Sequence, residues 1–270
     1  MKDKVVIITG GSSGIGKALA EVFGLQGSKI VITGRDAKAL AAAEQELRAK
    51  NIQIVAIQAD VSKEADNIAM AAAVVKQFGK IDVLINNAGI SMRALFEDLD
   101  TEVIRKVMDI NFFGAVYATK ACLPHIMATK GSIIGISSIA GYRGLAGRTG
   151  YSASKFALQG FLEALRTEML YKGVHVLIAS PGFTASAIRQ KALSKDGSAQ
   201  RESPRDETNM MSAEECASHI YKAAVKRQAI LTLTTQGKLT VFLNKWFPTF
   251  MDKIVFNTLA KEPDSPLKRP

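Results

Sequence analysis

The sequence predicts an α/β fold: a single domain built on a doubly wound parallel sheet of about seven strands, with a C-terminal helical extension. Three observations predict it. Short apolar, β-branched runs alternate with amphipathic stretches along most of the 270 residues, the pattern of a parallel sheet covered on both faces. The first run, "KVVIIT" (Lys4–Thr9), is continuous rather than alternating, as strands buried on both faces are. A glycine-rich turn, Thr9–Gly16, then joins that run to the first helical stretch, and in such sheets ligands collect at this end of the strands.

Taken in order, a strand is expected over Val5–Thr9 and a helix over Ile15–Gln26, with Ile15, Leu19, Val22 and Phe23 on one face and Gln26-Gly27 as the stop. Further strands are expected at Ile30–Thr33, Ile52–Gln58, Ile81–Asn86, Ser132–Ser137, Val174–Ala179 and Ala229–Leu233. Helices are expected at Ala37–Lys50, Glu64–Phe78, Thr101–Ala128, Tyr151–Tyr171 and Ala213–Arg227. Thr184–Ser212 is polar and rich in Ser, Lys, Arg and Asp, so it reads as an excursion from the core, a substrate lid or a mobile loop. The domain is expected to cover residues 1–235, lid included. An amphipathic extension follows at 236–260 and a disordered tail, "KEPDSPLKRP", at 261–270.

In the extension, Leu239, Phe242, Leu243, Trp246, Phe247, Phe250, Met251, Ile254 and Val255 recur in steps of three and four, one wide apolar stripe on a helix or helix pair. Pro248 starts a second helix or kinks the first. Lys238, Lys245 and Lys253 flank the stripe. Charge interrupts it too often for a bilayer span. Docking on the protein's own core or on another subunit is the first expectation, and an interfacial helix near anionic lipid, with peripheral membrane contact through 237–257, is the alternative.

The net charge of +10 points first to nucleic acid. The basic residues form no single block, although nine Lys and Arg against three Asp and Glu fall in Lys222–Pro270. No basic motif with interleaved aromatics is present, so a solvated surface is expected and nucleic-acid binding is not. Two cysteines make no disulfide framework, and no signal peptide is expected at the start, so a reducing cytoplasm is the expected compartment. Cys122 with His125, and Cys216 with His219, have a metal-like spacing. Pro124 disturbs the first pair and neither has supporting ligands, so no metal is expected. His175 falls within a strand and reads as structural.

The glycine-rich turn has two readings. Gly11 to Lys17 matches the start of a P-loop, but the next residue is Ala18, where a P-loop needs a hydroxyl to ligate magnesium. The other reading is a dinucleotide-binding turn. Gly10, Ser12, Ser13, Gly14, Ile15 and Gly16 then lie where main chain meets a pyrophosphate at a helix N-terminus. At the end of the second strand, where an NAD site carries an acidic residue, the chain has Gly34 followed by Arg35. A guanidinium pairs with a 2′-phosphate that a carboxylate would repel, which favours NADP(H); the alternative is that Arg35 only caps the turn beside Asp36. Asp60 and Val61 end the third strand, with Asp60 able to accept from an adenine amino group. Asn87, Ala88 and Gly89 end the fourth, small where a backbone must approach the cofactor closely.

Tyr151 and Lys155 stand four apart at the start of a helix, on one face. A tyrosine of ordinary pKa, about 10, is a poor base near neutrality, and a neighbouring ammonium lowers that value. The pair suits proton transfer to or from an alcohol oxygen. Ser138 follows the fifth strand and can bond the same oxygen. Asn111, a weak helix former inside Thr101–Ala128, marks a kink whose freed carbonyl binds water.

Together Thr9-Gly10-x-x-x-Gly14-Ile15-Gly16, Asn86-Asn87-Ala88-Gly89, Asn111, Ser138, Tyr151-x-x-x-Lys155 and Pro181-Gly182 resemble the short-chain dehydrogenase/reductase family over about Lys4–Thr184. The resemblance implies a Rossmann fold, a nicotinamide cofactor and a proton relay. It makes Tyr151 the acid/base, Ser138 the group that positions the carbonyl, Lys155 the holder of the nicotinamide ribose that also lowers the Tyr151 pKa, and Asn111 the holder of the relay water. Pro181, Gly182 and Thr184 would lie along the nicotinamide. Many NADP-preferring members carry a basic residue where this chain has Ser13, so the NADP(H) preference rests on Arg35. Within the family, "YSASKFA", "FEDLD" and the extended C-terminus resemble hydroxysteroid dehydrogenase-like and ketodihydrosphingosine reductase-like members, which implies a lipophilic small-molecule substrate; acyl-carrier-bound ketones are the alternative. Arg93, Arg143 and Arg148 suit an anionic handle or are solvated surface. The family commonly pairs through long helices, so a homodimer or homotetramer is expected. A non-enzymatic NADP(H)-binding scaffold would need none of Asn111, Ser138, Tyr151 and Lys155.

Overall fold

The structure is a computed structural model that describes residues 1–185, 188–200, 210–263 and 265–267. Strands β1 (Val5–Thr9), β2 (Lys29–Gly34), β3 (Ile54–Gln58), β4 (Val83–Asn86), β5 (Ser132–Ile136), β6 (His175–Ser180) and β7 (Ile230–Thr232) form one parallel sheet in the order β3-β2-β1-β4-β5-β6-β7. Helices α1 (Gly14–Leu25), α2 (Ala37–Ala49) and α7 (Ala213–Val225) cover one face. Helices α3 (Glu64–Phe78), α5 (Gly114–Thr129) and α6 (Thr149–Glu168) cover the other. Every residue of β1 is buried, which is why its run shows no alternation.

The strand order reverses between β1 and β4, so their carboxyl ends open a crevice there. Ile8 pairs with Ile85, and the Thr9 hydroxyl accepts from the amides of Asn87 and Ala88, 3.0 Å each. That side chain replaces ladder bonds lost as the two strands part. β4 begins at Val83 rather than Ile81; just before it stands Asp82, whose amide donates to the Val5 carbonyl at 3.0 Å and whose carbonyl accepts from the Ser132 amide at 2.9 Å. The Asp82 carboxylate accepts from the Val5 amide at 2.9 Å and pairs with Lys4 and Lys80. Burial acts to raise the Asp82 pKa, but Lys4, the Val5 amide and Lys80 together hold it below the usual carboxylate value.

The helix expected over Thr101–Ala128 is broken. α4 (Thr101–Met108) passes into a π-helical turn at Asp109–Phe113 before α5 begins. Asn111 is the cause on the side-chain side: it is buried and bonded to the main chain of Ile90 instead of facing solvent. The extension forms α8 (Thr235–Trp246) and α9 (Pro248–Leu259), with Pro248 in the first turn of the second. No helix of the described residues is long and apolar enough to cross a membrane.

The described part of the tail differs from the expectation of disorder. Glu262 is buried, and Leu267 joins a small core of Leu145, Ala146, Leu243, Met251, Val255 and Leu259. Within the excursion, Leu193 is buried and bridges to Met92 and Ala199, and Thr184 bridges to Met211. The rest of the expected lid, residues 186–187 and 201–209, and the tail residues 264 and 268–270 lie outside the described residues.

Candidate active site

At the crevice a groove of about 580 Å³ is lined by Gly10, Ser12, Ser13, Gly14, Ile15, Gly16, Arg35, Asp60, Val61, Asn87, Ala88 and Gly89. Its floor is main chain in close contact. Gly10 has a φ of +65°, and a Cβ there would lie 2.9 Å from the Ala88 Cα. A Cβ on Gly16 would overlap the Gly10 carbonyl oxygen. Asn87 locks this contact by donating to the carbonyls of Thr9 (2.9 Å) and Gly10 (3.1 Å). The N-terminus of α1 receives no side-chain cap from Ser13 and has no acidic residue in its first turn, so its first amides and positive dipole end face the groove. That donor set fits the pyrophosphate of a dinucleotide. Lys17 instead pairs with Glu46 at 2.8 Å, away from the phosphate position a P-loop lysine would serve.

Arg35 is exposed at the rim of the groove, and the neighbouring Asp36 carboxylate accepts from the amides of Lys38 and Ala39, 3.0 Å each, as the cap of α2. Asp60 accepts from the Ser62 amide and hydroxyl. Lys191 and Ile188, from the excursion, line the same groove.

Beyond the groove a smaller cleft of about 150 Å³ is lined by Ser138, Tyr151, Lys155, Pro181, Gly182 and Thr184, together with Leu145, Arg148, Phe183 and Arg189. Every predicted cofactor residue therefore lines one of two adjoining cavities. Tyr151 lies deep in the cleft. Burial raises its pKa above the ordinary phenol value, against the Ser138 hydrogen bond and the charges of Arg148 and Arg189, which lower it. Lys155 is buried, its Nζ 5.8 Å from the Tyr151 ring centroid and donating to the Ile136 carbonyl at 2.8 Å. Burial pushes its ammonium down to about 8. The expected lowering of the Tyr151 pKa by Lys155 is thus not what this site displays; desolvation is the larger effect. Asn111 lies behind the cleft. Its side chain donates to the Ile90 carbonyl and the Ser154 hydroxyl, 2.9 Å each, and accepts from the Ile90 amide at 2.8 Å.

The chain matches the family model described as short chain dehydrogenase over residues 4–197. It belongs to the short-chain dehydrogenase family. Mouse dehydrogenase/reductase SDR family member 7B is 36% identical over 268 residues, covering 97% of this chain and 83% of the relative. Among solved structures, a short-chain dehydrogenase from Streptomyces avermitilis superposes with a TM-score of 0.81 at 26% identity, covering 97% of this chain and 98% of its own. A Burkholderia phymatum member in complex with NAD gives 0.77 at 23%, covering 100% and 98%. A Thermococcus sibiricus alcohol dehydrogenase complexed with 5-hydroxy-NADP gives 0.74 at 22%, covering 85% and 94%. As a member of this family the chain is an oxidoreductase that acts on a small molecule.

The C-terminal extension does not line the cleft itself, but it packs beside it, and here the expectation of solvated arginines fails. Arg143 donates to Asn244 at 3.0 Å and pairs with Asp252. Arg148, the residue preceding α6, donates to the Glu262 carboxylate at 3.0 Å. Arg93 donates to the Pro263 carbonyl at 2.7 Å and approaches Glu262 at 3.6 Å. A second, apolar cavity continues from Ser138 under α8 and α9, lined by Ile139, Leu145, Phe183, Met251, Ile254 and Val255. Sequence reasoning missed Phe183, Arg189 and Lys191; the one signal was their position at the start of the polar excursion. Cys122 and Cys216 are both buried, their thiols pushed up to about 12 by burial. Among the described residues no three His, Cys, Asp or Glu side chains converge as metal ligands.

Proposed function

We propose that the chain is an NADP(H)-dependent oxidoreductase that interconverts a carbonyl and a secondary alcohol on a lipophilic substrate, steroid-like or a long-chain keto-lipid. The observation that carries it is the meeting of Ser138, Tyr151 and Lys155 in a cleft that opens from the Gly10–Gly16 groove. When bound, the nicotinamide supplies a hydride to the carbonyl carbon or takes one from the alcohol. In reduction Tyr151 gives its proton to the carbonyl oxygen; in oxidation it takes that proton back. A phenol held above its ordinary pKa stays protonated at neutral pH, which suits the acid role. Ser138 donates to the same oxygen and fixes its position. Lys155, with a value near 8, holds the ribose and returns the proton to Tyr151. The Asn111 side chain is committed to Ile90 and Ser154, so the relay water would be held by a main-chain carbonyl freed in the π-helical turn.

Support for NADP(H) comes from Arg35, exposed at the rim with its acidic neighbour engaged in capping, and from Lys191 on the same groove. The apolar cavity beside Ser138 supports a lipophilic substrate. An anionic handle is less favoured, because Arg143 and Arg148 already face Asp252 and Glu262. A homodimer or homotetramer in the cytoplasm, in peripheral contact with membrane through 237–257, completes the reading. The test is a screen of steroid and long-chain ketones followed by NADPH and NADH absorbance. Faster turnover with NADH, or turnover of hydrophilic ketones alone, overturns the corresponding half.

A further inference from the structure

The apolar stripe of the extension is divided between two faces. Leu243, Met251, Val255 and Leu259 turn inward onto Leu145, Ala146 and Leu267. Leu239, Phe242 and Trp246 of α8, and Phe247, Phe250 and Ile254 of α9, turn outward, with exposures from 36% to 62%. Leu239, Phe242 and Trp246, spaced by three and four, share one face of α8, and Phe250 and Ile254 share one face of α9, with Phe247 at the joint; together they are the outer row. Six large apolar side chains in sixteen residues are far denser than the singly scattered exposed residues elsewhere, and such a patch marks an interaction surface. The stretches outside the described residues, "SA", "RESPRDETN", Asp264 and "KRP", carry no large apolar side chain with which to cover it.

The charge around this row identifies its occupant. Lys238, Lys245 and Lys253 are exposed beside it, and the sole carboxylate on the two helices, Asp252, is paired with Arg143. A second copy docking by twofold symmetry would set these lysines against one another with no acidic partner, since the same patch meets itself. A surface of anionic lipid supplies the missing negative charge, while Trp and Phe settle among the headgroups and lysine stems snorkel outward. Ile254 belongs both to the outer row and to the apolar cavity that reaches Ser138. That cavity has a volume of about 110 Å³.

We propose that the outer face of α8–α9 seats the protein on an anionic bilayer, and that the cavity beneath it admits a lipophilic carbonyl compound from that bilayer to Ser138 and Tyr151. The delivery half rests on the carbonyl-reducing reading above; the seating half deepens the membrane contact proposed there and does not depend on the reaction.

Trp246 is the chain's sole tryptophan, so its emission reports on this face alone. Full-length protein is titrated with phosphatidylcholine vesicles, with and without phosphatidylserine. The emission should shift to the blue and be quenched by brominated acyl chains, more strongly with phosphatidylserine and less at high salt. Unchanged emission with phosphatidylserine vesicles at low salt overturns the seating. So does a blue shift without vesicles that grows with protein concentration, since a second copy would then cover the row.

The double variant Phe242→Ser/Phe250→Ser keeps the reporter. It should bind vesicles at least about tenfold more weakly with an unchanged melting curve; equal binding overturns the seating. Its KM should rise for a ketone dissolved in the vesicles and stay constant for a small soluble ketone. An equal change for both overturns the delivery. If no ketone is turned over by the unaltered protein, the carbonyl-reducing reading and the delivery fall together, while the tryptophan result still decides the seating.

Discussion

Along the groove from Gly10 to Gly16 the wall is main chain packed on main chain, whereas the C-terminal extension beside the cleft is held by side chains brought from far apart in the sequence. Arg143 meets Asn244 across 101 residues, and Arg148 meets Glu262 across 114. The groove has almost one solution, because an atom added at Gly16 collides with the backbone itself. The extension can change one side chain at a time without moving the sheet.

Separating the two regions by mutation gives the largest expected effect at Tyr151. Tyr151→Phe should lower turnover by on the order of 10²–10⁴ while a fluorescence titration shows NADPH bound as before. Wild-type turnover would remove Tyr151 from the reaction. Glu262→Gln attacks the extension alone, because the Glu262 carboxylate faces Arg148 and Arg93 in a buried setting. Urea melts should record a loss of about 2 kcal/mol, with NADPH affinity unchanged. A matching loss of NADPH affinity would mean that the two regions are not independent.

Arg35→Ala is the counterpart on the cofactor side. NADPH binding should weaken by about 1.5 kcal/mol, the low end for a hydrogen bond to a charged group, because Arg35 is exposed. NADH binding should not change, and the difference should shrink in salt. Equal losses for both cofactors would make Arg35 structural.

A pH slope is expected from Lys155, which lines the cleft. Its pKa falls from 10.5 in the unfolded chain to about 8 in the fold. Between those values the unfolded chain holds more protons, so stability rises as pH climbs from about 8 towards 10.5, and the full cost of burying the ammonium is present below 8. Lys155→Met removes the titration. Melts at about pH 7 and about pH 10 should show the wild type gaining on the variant by at most about 1.4 kcal/mol per pH unit. Parallel curves would place the Lys155 pKa near that of a free lysine.

The same contrast explains what could be read from the sequence. The groove was legible because each of its residues sits at the end of a strand whose neighbours are local: Gly10 and Gly16 share one turn, and Asn87 follows the adjacent strand. Asn111 was legible as a break in a helix, since a weak helix former in a long apolar stretch has few other uses. The Glu262 contact was not legible, because an acid among prolines and other charged residues reads as tail, and only the folded chain brings it to Arg148. The division of the α8–α9 stripe was equally hidden. Spacing shows that Phe250 and Met251 are apolar and adjacent, but which of them turns inward depends on where Leu145 lies.

The Arg148–Glu262 contact also has a place in time. At ordinary elongation rates the 114 residues between them take about 6–23 s to synthesise. Throughout that interval the nascent chain carries its glycine turn and Tyr151, while Arg148 and Arg93 still lack their carboxylate partner from the tail. A chain shortened by a protease before Glu262 would stay in that state, with two arginines beside the cleft unmatched by Glu262.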